Sequence, residues 1–331
     1  MSVLVTGGAG YIGSHMVLEL VDAGEDVVVI DNLSTGFHWA VSPAATLVVG
    51  DIGDAELVKS VIRKHKVDAI IHFAGSIVVP ESVADPLGYY LNNTVKSRSL
   101  IAAAVETGVK QFIFSSTAAV YGNPTENPVS EAALPAPMSP YGSSKLMTEI
   151  MLQDASRAHD FRAVALRYFN VAGADPKGRT GQSTPRATHL IKVACETALG
   201  KRPSMEVFGT DYPTHDGTCI RDYIHVTDLA RAHMSALGYL RKGGATDIFN
   251  CGYSKGFSVL DVISAVKRVS GVDFTVTVSP RRPGDPAAIV AASAKIRETL
   301  GWKPENDGLD QIVGQALAWE NTLQQRFKAA S

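Results

Sequence analysis

The sequence is poor in cysteine, with Cys195, Cys219 and Cys251 the only three in 331 residues. They are too few and too scattered for a disulfide framework or a zinc site. Reduced thiols in or near a core are expected, and no metal centre. No run of about 18 uninterrupted apolar residues occurs, so no transmembrane helix is expected. Neither sign of charge dominates: 31 basic residues face 33 acidic ones, a net charge of −2 with a pI near 6.5. With no basic stripe, nucleic acid and anionic membrane are set aside as main partners. The N-terminus enters a strand directly and shows no basic, apolar and cleavage-site pattern. Internal repeats and low-complexity linkers are missing too. A cytoplasmic protein is the expectation. Hydrophobic residues make up 45% of the chain and charged residues 19%, a globular balance. Its length suffices for one large core or two moderate ones.

Apolar strand-like runs alternate with helical patterns over the first half. Strands are expected at 2–6, 26–30, 46–50, 68–73, 111–115 and 162–167, with helices near 12–23, 54–65, 92–107 and 142–158. Such alternation implies an α/β fold, a doubly wound parallel sheet of Rossmann type. Ligands then bind at the carboxyl ends of the strands. Gly7, Asp31, Asp51, Phe73-Ala74-Gly75 and Ser115-Ser116-Thr117 each follow such an end, although turn residues gather there in any case.

The first strand leads into GGAGYIG. Gly8, Gly10 and Gly13 satisfy GxGxxG, and Gly7, Gly10 and Gly13 satisfy GxxGxxG. A lone match means little. Here a strand precedes it, a helical run follows, and a second strand ends in Asp31, 18 residues past Gly13. Glycines let backbone N–H groups approach a pyrophosphate at a helix N-terminus. A carboxylate at 31 suits two ribose hydroxyls and repels a 2′-phosphate, which favours NAD over NADP.

Tyr141 and Lys145 stand four residues apart in YGSSKLMTEIMLQDASRAHD. Met147, Ile150, Met151 and Ala155 follow a helical repeat, and Pro140 suits the entrance. The pair therefore shares a helix face. A free phenol with a pKa near ~10 is a poor base at neutral pH. A neighbouring ammonium is expected to lower it. Among ten tyrosines a coincidental lysine at this spacing is common, and the glycine turn is what gives the pair meaning.

After about residue 170 the alternation fades. Residues 173–187 and 203–221 read as loops, 226–240 and 258–270 as helices, FTVTVSP as a strand, RRPGD as a loop and 307–327 as a closing helix. The expected organisation is an NAD-binding domain over 1–170, to which some later elements return. Residues 171–331 then form mainly a smaller α/β substrate lobe that closes over the sheet edge.

Nine segments carry a resemblance over nearly the whole chain. They are VLVTGGAGYIGSH at 3–15, VVIDNLS at 28–34, GDI at 50–52, DAIIHFAGS at 68–76, PLGYYLNN at 86–93, FIFSSTAAVYG at 112–122, SPYGSSKLMTE at 139–149, LRYFNVAGADP at 166–176 and FGTDYPTHDGTCIRDYIHVTDLA at 208–230. The last is far more specific than either short motif. On these the chain resembles the extended short-chain dehydrogenase/reductases, and among them the UDP-glucose (UDP-galactose) 4-epimerases. The resemblance implies NAD as cofactor and a UDP-sugar inverted at C4 through a 4-keto intermediate. Tyr141 would be the acid/base, Lys145 its partner on the nicotinamide ribose, and Thr117 the hydrogen-bonding partner of the sugar 4-hydroxyl. Gly7, Gly10, Tyr11, Ile12, Gly13, Asp31, Asn32, Asp51, Ile52, Phe73, Ala74, Gly75, Asn93 and Phe169 would hold the cofactor. Asn170, His189, Leu190, Glu206, Val207, Phe208, Arg221, Arg282, Asp285 and Ile289 would line the substrate. Two arginines suit a diphosphate, since the guanidinium fork pairs with phosphate oxygens.

Three positions depart from the pattern. Ile77 stands where some epimerases place a lysine near the cofactor. His189 stands where others carry asparagine. Ile289, at the position that gates N-acetylated sugars, is neither a bulky aromatic nor a small residue. A nucleotide-sugar 4,6-dehydratase needs further proton-transferring groups after Thr117, and Ala118 and Ala119 cannot serve. Epimerases of UDP-xylose, UDP-glucuronate or UDP-N-acetylglucosamine use the same machinery and stay open. A non-catalytic NAD-sensing regulator would be expected to have lost the Tyr/Lys pair or the second-lobe arginines. The resemblance also implies a homodimer formed through 92–107 and 142–158.

Overall fold

The computed structural model describes residues 2–184, 187–282 and 284–330. Pro283, within the expected RRPGD loop, lies outside them. The chain begins β1 (Ser2–Thr6), α1 (Tyr11–Asp22), β2 (Asp26–Asp31), β3 (Thr46–Val49), α2 (Ala55–His65), β4 (Val67–His72). It continues α3 (Val79–Ala84), α4 (Pro86–Tyr89), α5 (Lys96–Thr107), β5 (Gln111–Ser115), α6 (Pro140–Ala158), β6 (Arg162–Tyr168), β7 (Asn170–Ala172). Then follow α7 (Leu190–Ala198), β8 (Met205–Phe208), β9 (Ile220–His225), α8 (Val226–Arg241), β10 (Asp247–Cys251), β11 (Gly256–Ser258). Last come α9 (Val259–Ser270), β12 (Val276–Ser279), β13 (Ala288–Ile289), α10 (Ala294–Leu300) and α11 (Leu309–Ala330).

Seven strands form one parallel sheet in the order β10-β6-β5-β4-β1-β2-β3. The chain runs outward from β1 to β3, then returns to place β4 on the other side of β1. The switch point therefore lies between β1 and β4. The central strands are apolar because both faces are covered, whereas the edge strand β3 stays partly exposed. Val3 and Val5 enter one core layer and Leu4 the other, as alternate side chains of a strand must. Each such fully buried side chain contributes about 1.5–3 kcal/mol. Helix ends follow local chemistry: Asp54 caps α2 by accepting from Leu57 N at 3.0 Å. Ser258 forms a reciprocal capping box with Asp261 at α9.

A second sheet joins β11, β9 and β13, with β7 also paired to β9. The expected loop at 203–221 is corrected here. It contains β8, which pairs with β12, and its last residues open β9. Met205 and Val207 point into the core while Glu206 is exposed, an alternation too short to stand out in the sequence. Residues 92–107 are not one regular helix either. A π-type turn over Tyr90–Val95 follows α3 and α4, and regular α5 begins at Lys96. Among the described residues no helix is long and apolar enough to cross a membrane.

Candidate active site

The turn after β1 is built for close approach. Gly7 has φ +72°, and a Cβ there would lie 2.6 Å from Ala74 N. A Cβ on Gly13 would lie 2.1 Å from the Gly7 carbonyl oxygen, which already accepts from Gly10 N at 3.1 Å. Gly10 is the N-cap of α1, and no side chain caps it. No acidic residue stands in the first turn. The first N–H groups of that helix are thus left for an external acceptor, which fits an anionic dinucleotide. Tyr11 and Ile12 open the helix, and Tyr11 Oη donates to Gly173 O at 2.7 Å, tying the turn to the segment just after β7.

Asp31 ends β2 as expected. Its Oδ2 accepts from Ala9 N at 2.9 Å and its Oδ1 from Leu33 N at 2.8 Å. The carboxylate therefore first braces its own turn, and spare lone pairs remain for a ribose. Asn32 Oδ1 accepts from Ser34 N at 3.0 Å. Asp51 accepts from Lys96 Nζ at 2.6 Å and Gly53 N at 2.8 Å. Burial raises that carboxyl, yet these donors outweigh it and hold it below the usual range. Ile52 beside it is buried.

After β4, Phe73 N donates to Thr6 O at 3.0 Å, and Ala74 and Gly75 pass beside Gly7 and Asn93. Asn93 Oδ1 accepts from Ser76 N at 2.7 Å, and its Nδ2 donates to Ser76 O and Ser144 Oγ at 2.9 and 3.0 Å. It staples this loop to α6. A Cβ on Gly75 would stand 3.8 Å from Lys145 Nζ, so the glycine turn and the lysine meet at one edge. Ile77, the departure from the family pattern, is exposed.

Helix α6 starts at Pro140 because Ser139 caps it, accepting from Gly142 N at 3.2 Å. Tyr141 and Lys145 fall in its first turns, both buried. Lys145 Nζ donates to Ser115 O at 3.0 Å and stands 4.9 Å from the centre of the Phe114 ring. Burial lowers Lys145 to about 8, with Glu149 pulling it upward. Tyr141 departs from expectation. Burial raises its phenol, and the hydrogen bond with Thr117 is the opposing influence. The ammonium is directed at a backbone carbonyl and a ring rather than at the phenol, so without ligand the phenol stays protonated.

The expected substrate residues fall in two groups, and Phe169, expected beside the cofactor, lies with the first. Phe169 is buried among Ala118, Val120 and Ile289, beneath Asn170 at the start of β7. His189 caps α7, with Leu190 its first residue. Gln182 Nε2 lies 2.7 Å from His189 Nδ1. An amide nitrogen donates, so the neutral ring carries its proton on Nε2, free to donate. Loss of solvation around the ring lowers the His189 pKa and Lys192 adds to this, while the residue as a whole is exposed. In the second group, Arg282 places its guanidinium 3.7 Å from the centre of the Phe208 ring, one strand end from Glu206 and Val207. Arg221 donates to Ile220 O and Pro286 O, both at 2.8 Å, and lies 3.5 Å from Asp285 Oδ1. Ile289 pairs in register with Arg221. The Val207 side chain is in the core, so it offers a ligand only its backbone.

Several neighbours went unread in the sequence. Tyr168 hydrogen-bonds Ser115 Oγ, and its phenol is raised by burial with Tyr141 adding to the effect. Glu149 extends the Tyr141–Lys145 spacing by another four residues, a signal that was present. Gln182 and Trp319, beside His189, carried none.

A doubly wound sheet with an uncapped glycine turn, and a tyrosine and lysine buried at the same edge, defines a nicotinamide-dinucleotide enzyme of the short-chain dehydrogenase/reductase class. The family model described as "NAD dependent epimerase/dehydratase family" matches residues 3–252, and the chain belongs to that family. It is 59% identical over 323 residues to the UDP-glucose 4-epimerase of Azospirillum brasilense, covering 98% of this chain and 93% of that protein. Among solved structures, UDP-glucose 4-epimerase from Brucella ovis in complex with NAD is 44% identical, with a TM-score of 0.93 over 96% of this chain and 97% of that one. The Bifidobacterium longum UDP-glucose 4-epimerase in complex with NAD+ and UDP is 38% identical, with a TM-score of 0.92 over 97% and 98%.

Proposed function

We infer that this protein interconverts UDP-glucose and UDP-galactose by inverting the configuration at C4. The observation that carries this is the buried phenol of Tyr141, on one helix face with Lys145, at the sheet edge that bears the uncapped glycine turn. Gly7 to Gly13, Asp31, Asn32, Asp51, Ile52, Phe73 to Gly75 and Asn93 would hold NAD. Bound there, the oxidised nicotinamide supplies a reversible hydride acceptor and a positive charge that favours the phenolate. Tyr141 takes the proton from the sugar O4 and later returns it, while Thr117 holds O4 by a hydrogen bond. Lys145 favours the phenolate before the proton is taken and after it is returned. Arg221 and Arg282 hold the diphosphate, Asp285 accepts from hydroxyl or N–H groups elsewhere on the UDP-sugar, and His189 donates from Nε2. Anchoring through the nucleotide leaves the 4-keto sugar free to turn its other face. The phenol raised by burial fits this order of events: it becomes a base only once the cationic ring is beside it.

A division at about residue 170 would give NAD to the first part of the chain and the UDP-sugar mainly to the second, with β10 returning to the seven-stranded sheet. The three buried, unpaired cysteines suit the reducing cytoplasm. Leu91, Val95, Met147 and Ile150 are exposed on the π-type turn, at its junction with α5 and on α6, which supports a homodimer there. Sedimentation at a monomer mass would dismiss that dimer. The reaction belongs to galactose metabolism. The test is direct: incubate the protein and NAD with UDP-galactose and follow UDP-glucose. UDP-N-acetylglucosamine and UDP-xylose run in parallel. Conversion of either, with UDP-galactose untouched, would replace the assignment by that of the other sugar.

A further inference from the structure

Tyr141, Lys145 and Glu149 follow one another at intervals of four on α6, so three ionisable side chains share one helix face. All three are buried. Glu149 is the unexplained member, because a buried carboxylate costs stability unless it is paired and hydrogen-bonded. Here it is fully held. Arg167 of β6 donates to its two oxygens from Nε at 2.9 Å and from one terminal nitrogen at 2.6 Å, and the Ser116 hydroxyl donates as well. The Arg167 guanidinium stands 4.8 Å from the centre of the Tyr121 ring, and Tyr121 Oη donates to Asn250 Oδ1 at 2.7 Å. Groups from the end of β5 and from β6 thus fix one carboxylate, and Asn250 of β10 braces the tyrosine beside Arg167. Such a pair is often no better for stability than apolar residues of the same volume. Its position, one turn from a buried lysine, calls for another reason.

Lys145 meets a carbonyl and an aromatic ring, and neither carries a full negative charge. We propose that Glu149 is a positioning residue for the reaction: fixed by Arg167 and Ser116, it keeps the buried Lys145 ammonium charged beside Tyr141 across the working pH range. This rests on the reading of Tyr141 and Lys145 as the reacting pair.

The surrounding groups leave this task to Glu149. On α6 the neighbours are Tyr141 and Glu149. From β4, His72 is held neutral, burial lowering it to about 3 with Lys145 adding to the effect. From β6, Arg167 is committed to Glu149, and the Tyr168 phenol is pushed well up by burial. From α4, Tyr89 is raised to about 12, chiefly by burial, and its hydroxyl donates to Val78 O and to Glu81 of α3. Burial alone drags Lys145 down towards neutrality, and the Glu149 carboxylate opposes it.

The experiment titrates Lys145 in the NAD-loaded protein by NMR of side-chain-labelled lysine, assigned with Lys145→Arg, and in parallel records the pH profile of kcat/KM. In Glu149→Gln, the Lys145 titration and the alkaline limb of the profile move together to lower pH by about one unit. Glutamine leaves Arg167 facing a neutral amide. The double variant Glu149→Gln with Arg167→Met removes that stranded charge, and the same direction of shift is expected. Glu149→Asp, which retains the carboxylate, restores the limb in part. A merely structural pair would lower the melting temperature and reduce kcat evenly, with both titrations in place, and that result overturns the proposal. If Lys145 shifts while the unsubstituted protein converts no UDP-sugar, the electrostatic link stands and the epimerase reading falls.

Discussion

At Tyr141 two demands conflict. The phenol must be dry enough to meet a sugar hydroxyl, and dryness raises its pKa. Lys145 is buried for the same reason and sits at about 8, close to losing its charge. Their spacing was legible because a helix brings every fourth residue to one face. Their protonation was not, because burial and the Ser115 carbonyl come from other parts of the chain. Expecting the ammonium to lower the phenol looked only at the pair and missed what surrounds it. Asp31 was likewise legible as the acid after β2, whereas its two bonds to Ala9 N and Leu33 N depend on the folded turn. Tyr141→Phe removes the proton carrier and nothing that holds the helix. Its kcat is expected to fall by about 10²–10⁴-fold, the usual share of general acid–base catalysis. Circular dichroism and the melting temperature should match the parent. Turnover within a few-fold of the parent would remove Tyr141 from its role.

At the scale of elements, the glycine turn and α6 are independent pieces brought together by the order of β1, β4 and β5. Gly13 shows how little room the turn has, since an added methyl would stand 2.1 Å from the Gly7 oxygen. That atom belongs to the backbone and cannot rotate away. Gly13→Ala is therefore expected to lose NAD on gel filtration and to lower the melting temperature by several degrees, read from absorbance of the released nucleotide and from calorimetry. Retained NAD at parental stoichiometry would show that the turn yields. Five of the six strands from β1 to β6 were readable as apolar runs because both their faces are covered, and the partly exposed edge strand β3 was readable from Leu47, Val48 and Val49. β10 was not, since it carries the buried polar Asn250 and joins β6 only after the whole of β7 to α8 has intervened. β8 was hidden in a stretch whose prolines and glycines read as loop.

Across the whole molecule, buried neutral histidines set the response to acid. His72, His15 and His233 are lowered by burial to about 3, 4 and 4 from an ordinary 6.5. The unfolded chain takes up protons below pH 6.5 that the folded chain refuses. Their contribution is complete above that pH and is lost as pH falls towards 4. The melting temperature should drop steadily through that window, and His233→Asn should flatten the slope even if it lowers the whole curve. A flat profile in the parent would mean that these rings are open to water. The Tyr11 hydroxyl binds Gly173 O just after β7, so the first helix after the glycine turn and the segment following β7 share one frame. What that frame is for is tested most directly by UDP-galactose carrying deuterium at C4, incubated with the protein and NAD in ordinary water. The expected product is UDP-glucose that keeps its deuterium at C4, because the hydride leaves and returns within one closed site. UDP-glucose whose C4 deuterium has been replaced by solvent hydrogen, or no UDP-glucose at all, would contradict the central claim.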